Sequence, residues 1–205
     1  MQHKWSRLLS VFAALLLSLG LSAQALADTY TVQKGDSLWK IAVKYQIGLS
    51  EIIGANPQFS NPALIYPGDK VYVPNIDEVK SVENEVVRLT NAERAKYGLP
   101  ALTQNWELSR VARYKSQDMI SKNYFDHTSP TYGSPFDMIR AFGIKFSAAG
   151  ENIAYGQRTA AEVVKTWMNS AGHRANILSN TYTQIGVGVA QNKSGTYYWT
   201  QMFIK

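Results

Sequence analysis

Trp106-Glu107-Leu108-Ser109-Arg110-Val111-Ala112-Arg113-Tyr114-Lys115-Ser116-Gln117-Asp118-Met119-Ile120-Ser121-Lys122, followed by Asn123-Tyr124-Phe125-Asp126-His127-Thr128-Ser129-Pro130, is the stretch on which the fold turns. Asn105 can cap a helix here. Leu108, Val111, Ala112, Ser116, Met119 and Ile120 fall on one broad face, and Arg110, Lys115 and Lys122 read as the outside. The helix ends in a polar loop that carries His127. Downstream, Ser134-Pro135 has serine at the cap and proline at the first helical position, so a third helix is expected to run through Ala141. A fourth runs from Thr159 to Asn169. Gln184 to Ile204 reads as a hairpin bent at Lys193-Ser194-Gly195, with Gly186-Val187-Gly188 inside a strand, where glycine permits close packing. Upstream, a long helical pattern from Val79 places Val82, Val86, Leu89 and Thr90 inward and stops at Gly98-Leu99-Pro100.

Residues 29 to 73 have a different rhythm. Thr29 to Val32 alternates as a strand, and Gly35-Asp36 turns the chain. Asp36 or Ser37 can cap a helix with Leu38, Ile41, Ala42 and Tyr45 on one stripe, which Gly48 is expected to end. Ser50 can cap a second helix, stopped by Asn56-Pro57, before the strand Lys70 to Val73. The residues Val32-Gln33-Lys34-Gly35-Asp36-Ser37-Leu38-Trp39-Lys40-Ile41-Ala42, Asn56-Pro57 and Ile65 to Pro74 resemble a LysM domain. The resemblance implies binding of N-acetylglucosamine glycans such as peptidoglycan, in a groove between Gly35, Asp36 and Ser37 on one side and Asn56, Pro57, Ile65 and Tyr66 on the other. A purely structural alternative treats the glycines as turn residues and Trp39 as core.

The chain begins with Lys4 and Arg7 before an apolar run from Leu8 to Leu21 and then Ala25-Leu26-Ala27, the pattern of a cleaved leader, which sets residues 1–27 apart as a signal peptide and leaves no membrane segment afterwards. The leader takes two cations and no acid with it, so the net charge of +6 falls to +4. That excess is not gathered into basic blocks, which argues against nucleic acid as a partner. The absence of cysteine excludes disulfides, thiol nucleophiles and thiolate metal sites. The expected divisions are 28–74 for the small module, 75–79 for a linker too short to be a long tether, and 80–205 for the larger domain.

Without the leader only two of the three histidines remain, His127 and His173, and Glu151 lies between them in sequence. Two imidazoles and a carboxylate suit proton transfer or a divalent metal such as zinc, held by His127 and His173. Alternatively, His127 fixes a helix end, His173 is a loop histidine bonded to carbonyls, and Glu151 pairs with Arg174 or with backbone amides. No Gly-x-Ser-x-Gly or His-Glu-x-x-His pattern is present.

Leu89 to Arg94, Tyr124 to His127, Ser134 to Asp137, Gly150-Glu151-Asn152-Ile153-Ala154, Trp167 to Leu178 and Tyr182 to Gly188 together resemble the CAP superfamily in its bacterial SCP-like form. With LysM in front, the whole resembles the YkwD-type exported proteins of spore-forming bacteria. That resemblance implies an α+β chain, a βααβ module followed by an α-β-α sandwich, secreted to the cell wall or spore envelope and partnered by peptidoglycan and by wall or spore proteins. In eukaryotic members a cleft holds two histidines and two acids. His127 matches the first histidine and Glu151 one acid, Thr181 to Gln184 stands where the second histidine would be, and His173 can fill that vacancy. Three functions follow: a non-catalytic wall protein whose cleft takes a ligand, metal or partner; a hydrolase of peptide or peptidoglycan bonds using Glu151 or a histidine; and a spore assembly or germination factor.

Overall fold

The computed structural model describes residues 28–205. The expected leader lies outside the described residues. Among those that are described, no helix is long and apolar enough to cross a membrane.

The first module is β1 (Asp28–Thr31), α1 (Leu38–Tyr45), α2 (Leu49–Ala55) and β2 (Lys70–Val73), with β1 and β2 antiparallel. Ser37 caps α1 by accepting from the Lys40 N–H. Two expectations fail here. Gln46, in the left-handed region at φ 53°, ends α1, while Gly48 is the N-cap of α2 and Ser50 lies inside that helix. Gly48 also lies where the second domain comes close: a Cβ on it would meet the side-chain ends of Arg110 and Glu51, which would have to move aside. Arg110 also bonds Glu51 at 2.9 and 3.1 Å and Ser50 at 2.8 Å, and Lys80 Nζ donates to the Tyr45 carbonyl at 2.8 Å. The two modules are therefore docked. Helix α3 (Asp77–Lys96) starts within the stretch expected to be a linker, and Asn75 accepts from the Asp77 N–H at its entry.

The second domain continues with β3 (Thr103–Gln104), α4 (Trp106–Ser121), α5 (Pro135–Ala141), β4 (Ala149–Tyr155), α6 (Ala160–Asn169), α7 (Ala171–Ile177), β5 (Gln184–Gln191) and β6 (Tyr197–Ile204). Its sheet has the order β3-β5-β6-β4, antiparallel except for the β3/β5 pair. One face carries α3, α6 and α7 over Trp167, Ile177, Ile185, Val187, Trp199 and Phe203. The other carries α4 and α5 over Leu108, Val111, Met138, Ile139, Met202 and Ile204. The chain is thus α+β and its larger domain an α-β-α sandwich, because side chains alternate across each strand and both faces are apolar.

The caps Asn105 and Ser134 act as expected, and Thr159, read as the first residue of its helix, is the cap of α6; each side chain accepts from a backbone N–H three residues on. On α3, Val86 and Thr90 are buried and Leu89 packs against the core, while Val82 departs from its expected place. The inward stripe is Glu83, Val86, Val87, Thr90 and Arg94, and Val82 is exposed. Glu83, whose carboxyl burial pushes up to about 7, bonds Arg113 at 3.0 Å. The buried Arg94 donates to the carbonyls of Pro100, Ile177 and Ser179.

Strand β4 has one free edge, and an unpaired edge is a liability that proteins usually cover. Here side chains do the covering. Tyr182 Oη donates to the Ala149 carbonyl, Asn176 Nδ2 to that of Glu151, and Trp167 Nε1 to that of Ile153, at 3.3, 3.1 and 3.3 Å. The Trp167 to Leu178 segment thereby closes the sheet and brings α7 against Glu151.

Candidate functional site: a histidine-carboxylate cluster at the free sheet edge

Alternation along β4 sends Glu151 to the α4 face and Asn152 to the opposite face. Asn152 is fully buried. Its Nδ2 donates to the His173 carbonyl and to Gln201 Oε1, and its Oδ1 accepts from Asn176. Gln201 in turn donates to Thr90. This chain of bonds runs from α3 through the sheet to α7, so Asn152 and Asn176 fix where His173 sits. His173 belongs to a short helix, α7, and not to the loop expected for it.

His127 is positioned from the other side. Lys115, read as an outward residue, is fully buried, and its Nζ donates to Tyr124 Oη at 3.2 Å, to the Asp126 carbonyl at 2.8 Å and to the His127 carbonyl at 2.7 Å. One turn on, Asp118 accepts from Tyr124, Ser129 and Thr131 at 2.6 to 2.7 Å. These two side chains of α4 pin the loop 124–131 at both ends. Periodicity held the signal for Lys115, which lies four residues after Val111 and three after Ala112, on the apolar stripe itself.

Held in this way, His127 Nδ1 bonds Glu151 Oε1 at 2.7 Å, the imidazole half exposed and the carboxyl 2% exposed. Glu151 does not pair with Arg174, which donates to the Met168 carbonyl. Burial pushes the Glu151 carboxyl up, with the His127 bond and Lys115 pulling against it. The bond to Glu151 raises His127. Burial lowers His173, and the charge of His127, close enough to be felt, lowers it further. All three expected residues therefore meet in one region.

Glu151 Oε2 and His173 Nδ1 are both buried without a hydrogen-bond partner. Such atoms cost free energy unless something bonds them. Among the described residues no three His, Asp or Glu side chains are arranged to hold a cation, and His127 Nδ1 is already committed to Glu151. That leaves His127 Nε2 and His173 Nδ1 as the nitrogens a divalent cation would have to use.

The pair has a consequence for stability. Both His127 and Glu151 hold a proton more tightly folded than unfolded, so their contribution is present below the unfolded values and is lost as pH rises through the folded ones. His173, lowered, acts in the opposite sense as pH falls. We expect the urea midpoint, followed from about pH 6 to about pH 9, to fall on the alkaline side, and Glu151→Gln to flatten that fall. An unchanged slope in the variant would count against the pair.

In the small module, Gly35 and Gly68 take the positive φ their turns need, 88° and 99°. Pro57 and Tyr66 are exposed, Asp36, Ser37 and Ile65 half-buried. Asp36 accepts from Tyr30 Oη and the Gln33 N–H, closing the turn. Asn56 departs from its expected place in the groove. It is buried, donates to the Ile52 and Tyr72 carbonyls, and accepts from the Tyr72 N–H and Gln58, so its side chain has no capacity left for a glycan. Trp39 is half exposed rather than core.

The model of the cysteine-rich secretory protein family, CAP, matches residues 87–203, and that of the LysM domain matches residues 30–74. The chain belongs to the CAP family and carries a LysM domain in front. YkwD of Bacillus subtilis (strain 168), an uncharacterized protein, is 60% identical over 126 residues, 62% of this chain and 48% of that one. An extracellular SCP-domain protein from Bacillus anthracis superposes with a TM-score of 0.57 at 36% identity, covering 68% of this chain and 47% of that one. The chain thus spans about half the length of these relatives. Spore coat assembly protein ExsA of Bacillus cereus is 52% identical over 46 residues, 22% of this chain and 7% of its own.

Proposed function

We propose that this is an exported protein of the cell wall or spore envelope, held on N-acetylglucosamine glycan such as peptidoglycan by its LysM module, with a CAP cleft that takes a ligand at Glu151 and His173. The observation that carries the cleft is the pair of buried atoms, Glu151 Oε2 and His173 Nδ1, left without partners beside a solvent-facing imidazole. A ligand offering an N–H or O–H group satisfies the carboxylate, and a neutral imidazole can donate or accept. The likeness of the LysM module to that of a spore coat assembly protein supports the spore envelope as a setting and spore proteins as partners. A hydrolytic reading draws on the 2.7 Å His127 to Glu151 bond, since an imidazole oriented by a carboxylate can accept a proton from water.

One experiment separates them. The protein from residue 28 onward is incubated with purified cell wall, and both pelleting and release of soluble fragments are followed. We expect pelleting without release, and loss of pelleting when Tyr66→Ala is combined with Pro57→Ala. Release that Glu151→Gln abolishes and added zinc does not alter would establish metal-free hydrolysis instead. Release that depends on zinc would support the metal reading, and unchanged pelleting of the double variant would remove the groove.

A further inference from the structure

Phe125 lies two residues before His127, and Tyr155 four residues after Glu151 on the same side of β4. Both are large exposed apolar residues, 43% and 53% accessible. Their rings meet edge to face with centroids 4.7 Å apart. Tyr155 then stacks on Tyr198, its cross-strand neighbour, at 5.8 Å and 24°. The three rings form a rigid strip that begins beside the cleft and crosses onto β6. Such pairs hold one another in place, so a ligand landing on them orders little that is not already ordered.

We propose that Phe125, Tyr155 and Tyr198 form a docking strip for the pyranose rings of a neutral N-acetylhexosamine glycan that leads into the His127–Glu151 cleft. The proposal rests on the reading that this cleft takes a ligand, and it names that ligand's class. Exposed aromatic surface next to a few converging polar groups suits a saccharide, whose C–H groups pack on the rings while polar atoms meet its hydroxyl or acetamido groups. The titratable neighbours of the strip on its own loop and strand are Asp126, His127 and Glu151, and the buried Lys115 spends its donors on Tyr124 and two carbonyls. Asp126 and Glu151 stand against the Lys115 ammonium and the His127 imidazole that bonds Glu151, so the strip has no excess of either sign to select a charged polymer and suits a neutral sugar. The LysM module of the same chain supplies the occupant at high local concentration, because a strand held by one module meets a linked second site without a further diffusional encounter.

The test titrates the protein from residue 28 onward with the tetramer of N-acetylglucosamine and follows assigned Phe and Tyr ring signals and the two imidazoles by NMR. Saturable shifts at Phe125, Tyr155 and Tyr198 are expected. Tyr155→Ala should weaken the affinity read at Phe125 and Tyr198 about tenfold, and Tyr155→Phe should retain it. Unchanged Ile153 and Met202 methyl signals in both variants show that the sheet is intact. Shifts confined to the LysM module, an affinity indifferent to Tyr155→Ala, or strip shifts produced only by a wall stem peptide would each overturn the strip. Strip shifts with silent His127 and His173 rings would uphold the strip while removing the cleft as part of the site.

Discussion

Gly188→Ala is expected to cost about 3 kcal/mol or more, the upper part of the range for overpacking a filled interior. A Cβ there would lie 2.0 Å from Arg113 N and 2.2 Å from Ala112 C. These are backbone atoms of α4, so no side chain can rotate away and the helix itself must lift. Gly186 faces the same helix one turn earlier, its Cβ meeting Leu108 C at 2.4 Å, and lifting α4 would also break the Ser116 bonds to the Gly188 carbonyl and Thr200. Against a domain stability of about 5–15 kcal/mol the loss should appear as a large drop in urea midpoint. Gly172→Ala is the control, since nothing lies within 4 Å of a Cβ there and its place in α7 favours alanine by up to about 1 kcal/mol. Equal midpoints for the two variants would contradict the close approach of α4 to β5.

Lys115→Met should cost about 2–4 kcal/mol, although the side-chain volume is nearly kept. The variant removes the donor that the fully buried Lys115 gives to the part-buried Asp126 and His127 carbonyls, and polar groups shielded from water and left unpaired cost desolvation free energy. It also removes a cation that pulls Glu151 down. Loop 124–131 then hangs from Asp118 alone, and the His127 ring signal should broaden and lose its raised titration. Arginine should not rescue, because a planar guanidinium cannot place three donors as an ammonium does. A variant of unchanged stability and unchanged His127 titration would show that Lys115 is a bystander.

Much of this arrangement can be read from the chain because local signals and tertiary packing agree. Ser37, Asn105, Ser134 and Thr159 precede apolar periodicity and cap their helices, and the hairpin of β5 and β6 follows from alternation with a glycine at the bend. The glycines of β5 were legible as close-packing positions, though not against which helix. What stayed hidden has one physical cause, polar residues serving as core. Lys115, Glu83 and Arg94 look like solvent-facing charges until the carbonyls or partners they meet, some more than 80 residues away, are in view. Strand β4 carries the small residues Gly150 and Ala154 with a buried acid and amide, so it shows no apolar alternation, and α7 was obscured by Gly172 and by polar residues on a helix of two turns. His127, Glu151 and His173 were identifiable by residue type and motif. The 2.7 Å bond and the unpartnered atoms are products of tertiary structure alone.

The cleft is tested most directly by histidine titration in the protein from residue 28 onward, whose NMR spectrum contains only the His127 and His173 rings. The account predicts one imidazole titrating above the ordinary value and one below it, with Glu151→Gln returning the first toward the ordinary range. Two rings that titrate alike near the ordinary value and ignore Glu151→Gln would contradict it.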